Sequence, residues 1–184
     1  MDLYYTTTVP SPVGSLTLAS DGTALTGLWL EGQAYFGGRC PESLQPGGEN
    51  LPIFQQTRSW LARYFSGERP VPSELPLSPK GTPFQQAVWS LLCEIPYGTV
   101  TTYGALATAL AQRLHRSASA PRAVGGAVGH NPISIVIPCH RVVGAAGSLT
   151  GYAGGLQRKL WLLQREGIDT SCFTVPKSKG APQN

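Results

Sequence analysis

The sequence lacks the features that mark membrane, secreted and zinc-binding proteins. No run approaches the roughly 20 consecutive apolar residues of a membrane-spanning helix, and residues 1–5 lack the basic and apolar regions of a signal peptide. The four cysteines, Cys40, Cys93, Cys139 and Cys172, form no Cys-x-x-Cys pair, which disfavours a disulfide framework or a standard zinc module. We therefore expect a cytoplasmic protein with no metal and no cofactor.

Strand and turn signals dominate the first part of the chain. Residues 3–36 alternate apolar and polar side chains, and the Asp-Gly pair at residues 21–22 marks a hairpin, which predicts a small antiparallel sheet. Residues 41–52 hold three prolines and two glycines and are predicted to be a loop. Residues 53–65 suit an amphipathic helix, and residues 66–83, with five prolines, suit a linker.

Helix signals dominate the rest of the chain. Thr82 can cap a helix over residues 83–93, with proline at its first position. Thr102 similarly precedes a helix predicted over residues 103–114. A shorter helix over residues 121–129 should follow, and the pair is compatible with a helix-turn-helix.

These patterns predict an α+β protein with two domains of opposite charge. Residues 1–79 form a sheet-and-helix domain with its linker; they hold four basic and seven acidic residues, a net charge of −3. Residues 80–184 form a mainly helical domain with ten basic and three acidic residues, a net charge of +7. A basic half is typical of proteins that act on a polyanion, although an unevenly charged solvated surface would show the same imbalance.

The helix predicted at residues 121–129 has an unusual composition. Residues 123–129, which include Ala123, Gly126 and Gly129, have no side chain that could hydrogen-bond to base edges. Each glycine costs roughly 1 kcal/mol of helix propensity. Small residues must therefore serve either close approach of the backbone to nucleic acid or packing against another helix. Arg122 is its single long polar side chain.

The segment before Cys139 is apolar and rich in β-branched residues. It predicts a buried strand over residues 133–137 that ends at Pro138, since proline cannot donate to a sheet. Cys139 would then be fixed at the exit of a strand, as a nucleophilic thiol requires, with a neighbouring base or cation lowering its pKa. A cysteine without such neighbours is more often a small buried apolar residue.

The string Pro-Cys-His-Arg at residues 138–141 resembles the active-site signature of the O6-alkylguanine-DNA alkyltransferase family. The similarity extends in order over about residues 80–168, through the segments Gly81–Trp89, Ile95–Ala107, Arg122–Ala127, Asn131-Pro132 and Gly151–Leu156, with Lys159 and Glu166. It implies that the first domain is ribonuclease-H-like and that the second contains a DNA-binding helix-turn-helix.

The resemblance implies a direct-reversal DNA repair reaction, that of a methylated-DNA–protein-cysteine methyltransferase. The Cys139 thiolate would attack the alkyl carbon on guanine O6, or on thymine O4, in a single irreversible transfer. His140 would act as the base through a water molecule, because adjacent residues on an extended chain point to opposite faces. Glu166 would orient and stabilise His140; by position alone it could equally be a solvated surface charge.

The resemblance also implies roles in base flipping and recognition. Tyr103, which would fit a core position equally well, would donate to the leaving guanine or to a phosphate. Arg122 would fill the space of the flipped nucleotide. Asn131 would brace the turn that leads to the cysteine. Tyr152 and Ala153 would line the pocket for the alkylated base.

The implied partner is double-stranded DNA with an alkylated guanine. We expect the protein to bind this DNA as a monomer that can cluster along the duplex, with Ala123 and Gly126 at the DNA surface. No membrane is implied, and in a bacterium the protein would associate with the nucleoid. The sequence departs from the family in its longer, basic turn at residues 112–121 and in Ala153, where relatives often have serine.

Two other classes of protein stay open at this stage. A lesion-binding module without repair activity would share the helix-turn-helix, but such proteins lack the signature cysteine, which is present here as Cys139. A thiol hydrolase could use Cys139 with His140, but hydrolases usually take their histidine from a distant segment.

Overall fold

The computed structural model describes residues 2–39 and 41–175. Cys40 and the end of the predicted second domain lie outside the described residues. The described cysteines, Cys93, Cys139 and Cys172, are free thiols. None of the described helices is long and apolar enough to cross a membrane.

A four-stranded sheet forms the first part of the fold, in the order β3-β2-β1-β4. Strands β1 (Tyr4–Val9), β2 (Leu16–Ser20) and β3 (Leu25–Leu30) pair antiparallel, which confirms the predicted antiparallel sheet. The Asp21 carboxylate stabilises the hairpin turn between β2 and β3 by accepting hydrogen bonds from two backbone N–H groups at 3.0 and 2.9 Å.

The stretch predicted to be a loop, residues 41–52, contains a further strand. This strand, β4 (Leu44–Pro46), pairs parallel with β1 at the edge of the sheet. Three residues are too few to show an alternating pattern, and a proline argues against a strand in sequence. Pro46 is tolerated because β4 lies at the edge of the sheet, where a residue without an N–H leaves no neighbouring strand unpaired.

Helix α1 (Pro52–Ser66) confirms the predicted amphipathic helix. It ends at Gly67, which adopts the left-handed conformation with φ of 98° and whose N–H donates to Tyr64 O at 3.1 Å. The proline-rich stretch predicted to be a linker, residues 66–83, is hydrogen-bonded to α1 and is therefore not a free linker. Its Val71 carbonyl accepts a hydrogen bond from Trp60 Nε1 at 2.9 Å.

Four helices follow: α2 (Pro83–Leu92), α3 (Tyr103–Arg113), α4 (Pro121–Gly129) and α5 (Leu156–Arg165). The predicted caps are confirmed, since Thr82 accepts from Gln85 N and Thr102 accepts from Ala105 N. Helices α2, α3 and α4 pack on one another, as a helix-turn-helix requires. Short strands β5 (Thr101–Thr102) and β6 (Val142–Val143) pair in parallel beside them.

The predicted strand before Pro138 is wrong, although the segment is buried as expected. Ile133 makes one bridge to Leu28 of β3, and Ile135 then takes a φ of 70°, which no regular strand allows. The Asn131 side chain replaces the missing sheet partner. Its Oδ1 accepts from Ile133 N at 3.0 Å and its Nδ2 donates to Ile137 O at 2.8 Å, so buried backbone groups are paired without a strand.

Candidate active site

Cys139 begins a single 3-10 turn, Cys139–Arg141, and is only 6% exposed. The expected extended chain at this point is therefore wrong. A 3-10 turn has three residues per turn, so adjacent side chains diverge by about 120° instead of pointing to opposite faces. The thiol is held by the turn and by the segment braced by Asn131.

The carboxylate of Glu166 is the centre of the buried polar cluster behind the cysteine. Its Oε2 accepts hydrogen bonds from His140 Nε2 and from Tyr64 OH, the latter at 2.7 Å. Its Oε1 accepts from Arg141 Nε at 2.7 Å and from Gly98 N at 3.1 Å. The Glu166 side chain has no solvent exposure, so these donors replace water. The structure thus brings together Glu166 and His140, which are 26 positions apart in sequence.

The proton positions on His140 follow from the charge of Glu166. Burial alone would raise the pKa of Glu166, but the hydrogen bonds from His140 and Arg141 and the charge interactions with these two residues outweigh it and lower the pKa to about 2. A carboxylate only accepts, so His140 Nε2 carries the proton toward Glu166. Burial lowers the pKa of His140, which favours the neutral ring with an unprotonated Nδ1.

The surroundings of the Cys139 thiol favour its protonated form. Burial raises its pKa above the ordinary value, and the hydrogen bond of Asn131 and the charge of Lys159 offset this only in part. The expected lowering of the pKa is therefore wrong, and the protonated thiol predominates at neutral pH. A thiol in this state needs a base to take its proton before it can act as a nucleophile. His140 Nδ1 is buried and has no hydrogen-bond partner among the described residues.

Lys159 is a buried cation beside the cysteine to which the sequence assigns no role. It is 0% exposed, and its Nζ donates to Val142 O and, at 3.3 Å, to Thr150 O. Burial lowers its pKa to about 8, opposed by the charge of Cys139. Sequence reasoning misses it because lysines on helices are usually solvated.

Tyr103 lies at the N-terminus of α3, half-buried, and points toward the loop before α5. Its hydroxyl donates to Thr150 O at 3.1 Å, the carbonyl that Lys159 also contacts. Burial, followed by the charge of Cys139, raises the pKa of Tyr103 to about 12. The phenol therefore keeps its proton at neutral pH and can donate a hydrogen bond.

Helix α4 has one buried face and one open face. Val124, Ala127 and Val128 are buried, whereas Arg122 and Ala123 are exposed. A Cβ added to Gly126 or Gly129 would meet no described atom within 4 Å. Packing against another helix therefore does not explain these two glycines, and the open space beside them leaves room for close approach of an external molecule.

A cleft of about 320 Å³ lies between the open face of α4 and the loop before α5. Tyr152 and Ala153, the two residues predicted to line the base pocket, line it together with Gly126, Tyr35 and His130. Tyr152 is 9% exposed, and the charge of Cys139 contributes to the raised pKa of its phenol after burial. Tyr152 thus lines the cleft and is close enough to Cys139 for their charges to interact.

These features define a class of protein: one with a buried cysteine, a buried histidine–glutamate pair that begins at the next residue, and a glycine-rich helix with one exposed face. Family comparisons agree with this class. Residues 83–168 match the model of the 6-O-methylguanine DNA methyltransferase DNA binding domain, and residues 3–79 match that of its ribonuclease-like domain.

The chain belongs to the methylated-DNA–protein-cysteine methyltransferase family. The protein of that name from Haemophilus influenzae is 48% identical over 90% of this chain and 87% of its own. The Mycobacterium tuberculosis protein of that name is 44% identical over 86% of this chain and 90% of its own. A crystal structure of Mycobacterium tuberculosis OGT in complex with DNA superposes with a TM-score of 0.77, at 42% identity, over 89% of this chain and 93% of that one.

Proposed function

We propose that this protein repairs DNA by transferring the alkyl group of O6-alkylguanine, and of O4-alkylthymine, irreversibly to Cys139. The observation that carries the proposal is that the buried Cys139 directly precedes a buried His140, which is hydrogen-bonded to the buried Glu166. Each member supplies a part of nucleophilic catalysis: a fixed thiol, a base with a free nitrogen, and a carboxylate that sets the tautomer of the base.

The proposed reaction moves one proton and one alkyl group. The thiol proton passes to His140 Nδ1 through a water molecule, and Cys139 Sγ forms a bond to the alkyl carbon while the bond from that carbon to guanine O6 breaks. The electron pair of the broken bond stays on guanine, which takes up a proton from water, and His140 afterwards releases the thiol proton to water, so that one proton is moved in total. Tyr103, whose phenol stays protonated, donates a hydrogen bond to the leaving base. The thioether product has no ready leaving group, so the protein acts once.

DNA would dock on the open face of α4. Ala123 and Gly126 lie against the sugar-phosphate backbone, and Arg122 enters the base stack to replace the flipped nucleotide. The flipped base would occupy the cleft beside Tyr152 and Ala153. Asn131 fixes the connection from α4 to the cysteine.

The wider organisation also stays a proposal. We infer a monomer in the cytoplasm, near the nucleoid in a bacterium, that can cluster along double-stranded DNA. We divide the chain into residues 1–79 and 80–184, a division supported by the ranges that the two family models match. The net charge of +7 on the second part would provide sequence-independent attraction to phosphates.

Mixing the protein with excess duplex containing O6-methylguanine should add one methyl group per molecule and then stop. Intact-mass spectrometry and peptide mapping should place the methyl group on Cys139. The same duplex with unmodified guanine is the control and should add nothing. Many demethylated duplexes per protein molecule would contradict the proposal and favour a hydrolase.

Arg122→Ala should slow repair of duplex DNA much more than reaction with free O6-benzylguanine, because only the duplex requires a flipped base. Loss of a few kcal/mol of flipping energy predicts about a 100-fold slower duplex reaction. Arg116→Ala is the matched control, because it removes an exposed positive charge near α4 and should change salt-dependent binding alone. Equal slowing on both substrates would argue against insertion of Arg122 into the stack.

A further inference from the structure

Tyr64 connects the first part of the chain to the candidate reaction centre. It lies on α1, is 0% exposed, and is separated from Glu166 by 102 positions in sequence. Its hydroxyl donates to Glu166 Oε2 at 2.7 Å, the oxygen that also accepts from His140 Nε2. The phenol and the imidazole therefore share one carboxylate oxygen.

The Tyr64 ring is fixed on several sides. It stacks on Trp60 with centroids 5.7 Å apart and an angle of 7° between the planes, and meets Tyr97 edge to face at 6.0 Å. It also meets the His140 ring edge to face at 6.5 Å. A side chain held this firmly presents its hydroxyl in one direction, so the position of Oε2 is determined from α1 as well as from α5.

We propose that Tyr64 is a positioning residue for alkyl transfer, acting through Glu166 on His140. This inference rests on the proposed function. A carboxylate oxygen has two lone-pair directions. With Tyr64 OH in one of them, His140 Nε2 is directed to the other, which orients the ring and leaves Nδ1 toward the thiol side. Through Tyr64, residues 1–79 would thus contribute to the chemistry of the site in residues 80–184.

Tyr64 should also limit how strongly Glu166 attracts the His140 proton. Its hydroxyl takes up part of the charge on Oε2, so without it the carboxylate would stabilise the imidazolium more. The other charged groups that act on His140 are Arg141 and Lys159, which oppose its protonation, and both stay in place when only the hydroxyl is removed. Loss of the hydroxyl should therefore make His140 easier to protonate.

The test is Tyr64→Phe, which keeps the ring and its packing. The rate constant for reaction of free O6-benzylguanine with Cys139 should fall about tenfold at neutral pH, as loss of a hydrogen bond to a charged group predicts. The acid limb of its pH–rate profile should move to higher pH. Tyr97→Phe is the matched control: it removes a hydroxyl from the same ring cluster, but one that donates to the Arg165 carbonyl, and should change neither quantity.

A double-mutant cycle separates positioning from mere stability. In a Glu166→Gln background, Tyr64→Phe should slow the reaction little further, since both changes act on one interaction. Independent, multiplicative losses would overturn the inference. So would a rate loss in Tyr64→Phe that follows its unfolded fraction while the pH profile stays unchanged.

A measurement on the unmodified protein covers the case in which the variant does not fold. Proton NMR should show slowly exchanging signals for Tyr64 OH and His140 Nε2–H with a nuclear Overhauser effect between them, because both point at Oε2. Absence of this pair of signals would overturn the inference. Failure of Cys139 in the unmodified protein to accept any alkyl group would instead overturn the proposed function, so the two outcomes are distinguishable.

Discussion

Cys139→Ala should abolish methyl transfer completely while leaving DNA affinity unchanged. The thiol is the proposed acceptor, and no other described residue near the cleft offers a comparable nucleophile. The substitution removes one buried sulfur and should destabilise the fold by about 1 kcal/mol. Electrophoretic mobility shift on duplex DNA and intact-mass spectrometry after incubation with O6-methylguanine duplex would measure the two properties separately.

Cys93→Ala provides the matched control for this loss. Burial, followed by the charge of Glu94, raises the pKa of Cys93 to about 11. Unlike Cys139, Cys93 has no histidine next to it in the sequence to take its proton, so its thiol should not compete for the alkyl group. This variant should accept one methyl group at the rate of the unmodified protein. Methylation of Cys139→Ala at any other cysteine would contradict the assignment of the acceptor.

Glu166→Gln should both slow alkyl transfer and weaken the fold. A glutamine cannot balance the charge of the buried Arg141, whose Nε lies 2.7 Å from Glu166 Oε1, and it no longer fixes the proton of His140 by charge. We expect about a 100-fold slower reaction and a loss of about 3 kcal/mol in free energy of unfolding at neutral pH. Reaction with O6-benzylguanine and urea denaturation would measure these effects.

The pH dependence of stability gives the same prediction an independent check. The pKa of Glu166 is about 2 in the folded protein against 4.5 in the unfolded chain. Because the folded value is the lower one, the carboxylate contributes stability above pH 4.5 that is lost as the pH falls toward 2. Glu166→Gln should remove this part of the acid sensitivity.

Glu94→Gln is the control for a glutamate in an ordinary ion pair. Glu94 binds Arg113 at 2.7 Å, but its side chain is 57% exposed, so its neutralisation should change stability by less than about 1 kcal/mol. Equal losses of stability in Glu94→Gln and Glu166→Gln would contradict the prediction that the buried Glu166 contributes more stability than an exposed ion pair.

Local sequence signals predicted the secondary structure that depends on neighbouring residues. The hairpin at Asp21, the end of α1 at Gly67 and the start of α2 at Thr82 are each determined within a few residues of the chain. The prediction of a strand before Cys139 is wrong because it also used only the composition of neighbouring residues. β-branched composition reports burial, but the pairing of these backbone groups depends on the side chain of Asn131.

The sequence by itself determined the family resemblance, the order of the main helices and the choice of Cys139 as the candidate nucleophile, because these depend on residue types and short spacings. Only the tertiary structure decided the environment of that nucleophile. The raised pKa of the Cys139 thiol comes from burial, and the ionised state of Glu166 depends on His140 and Arg141, which lie 26 and 25 positions away in sequence. Burial and long-range hydrogen bonds exist only once the chain has folded, so residue types and short spacings in the sequence do not predict them.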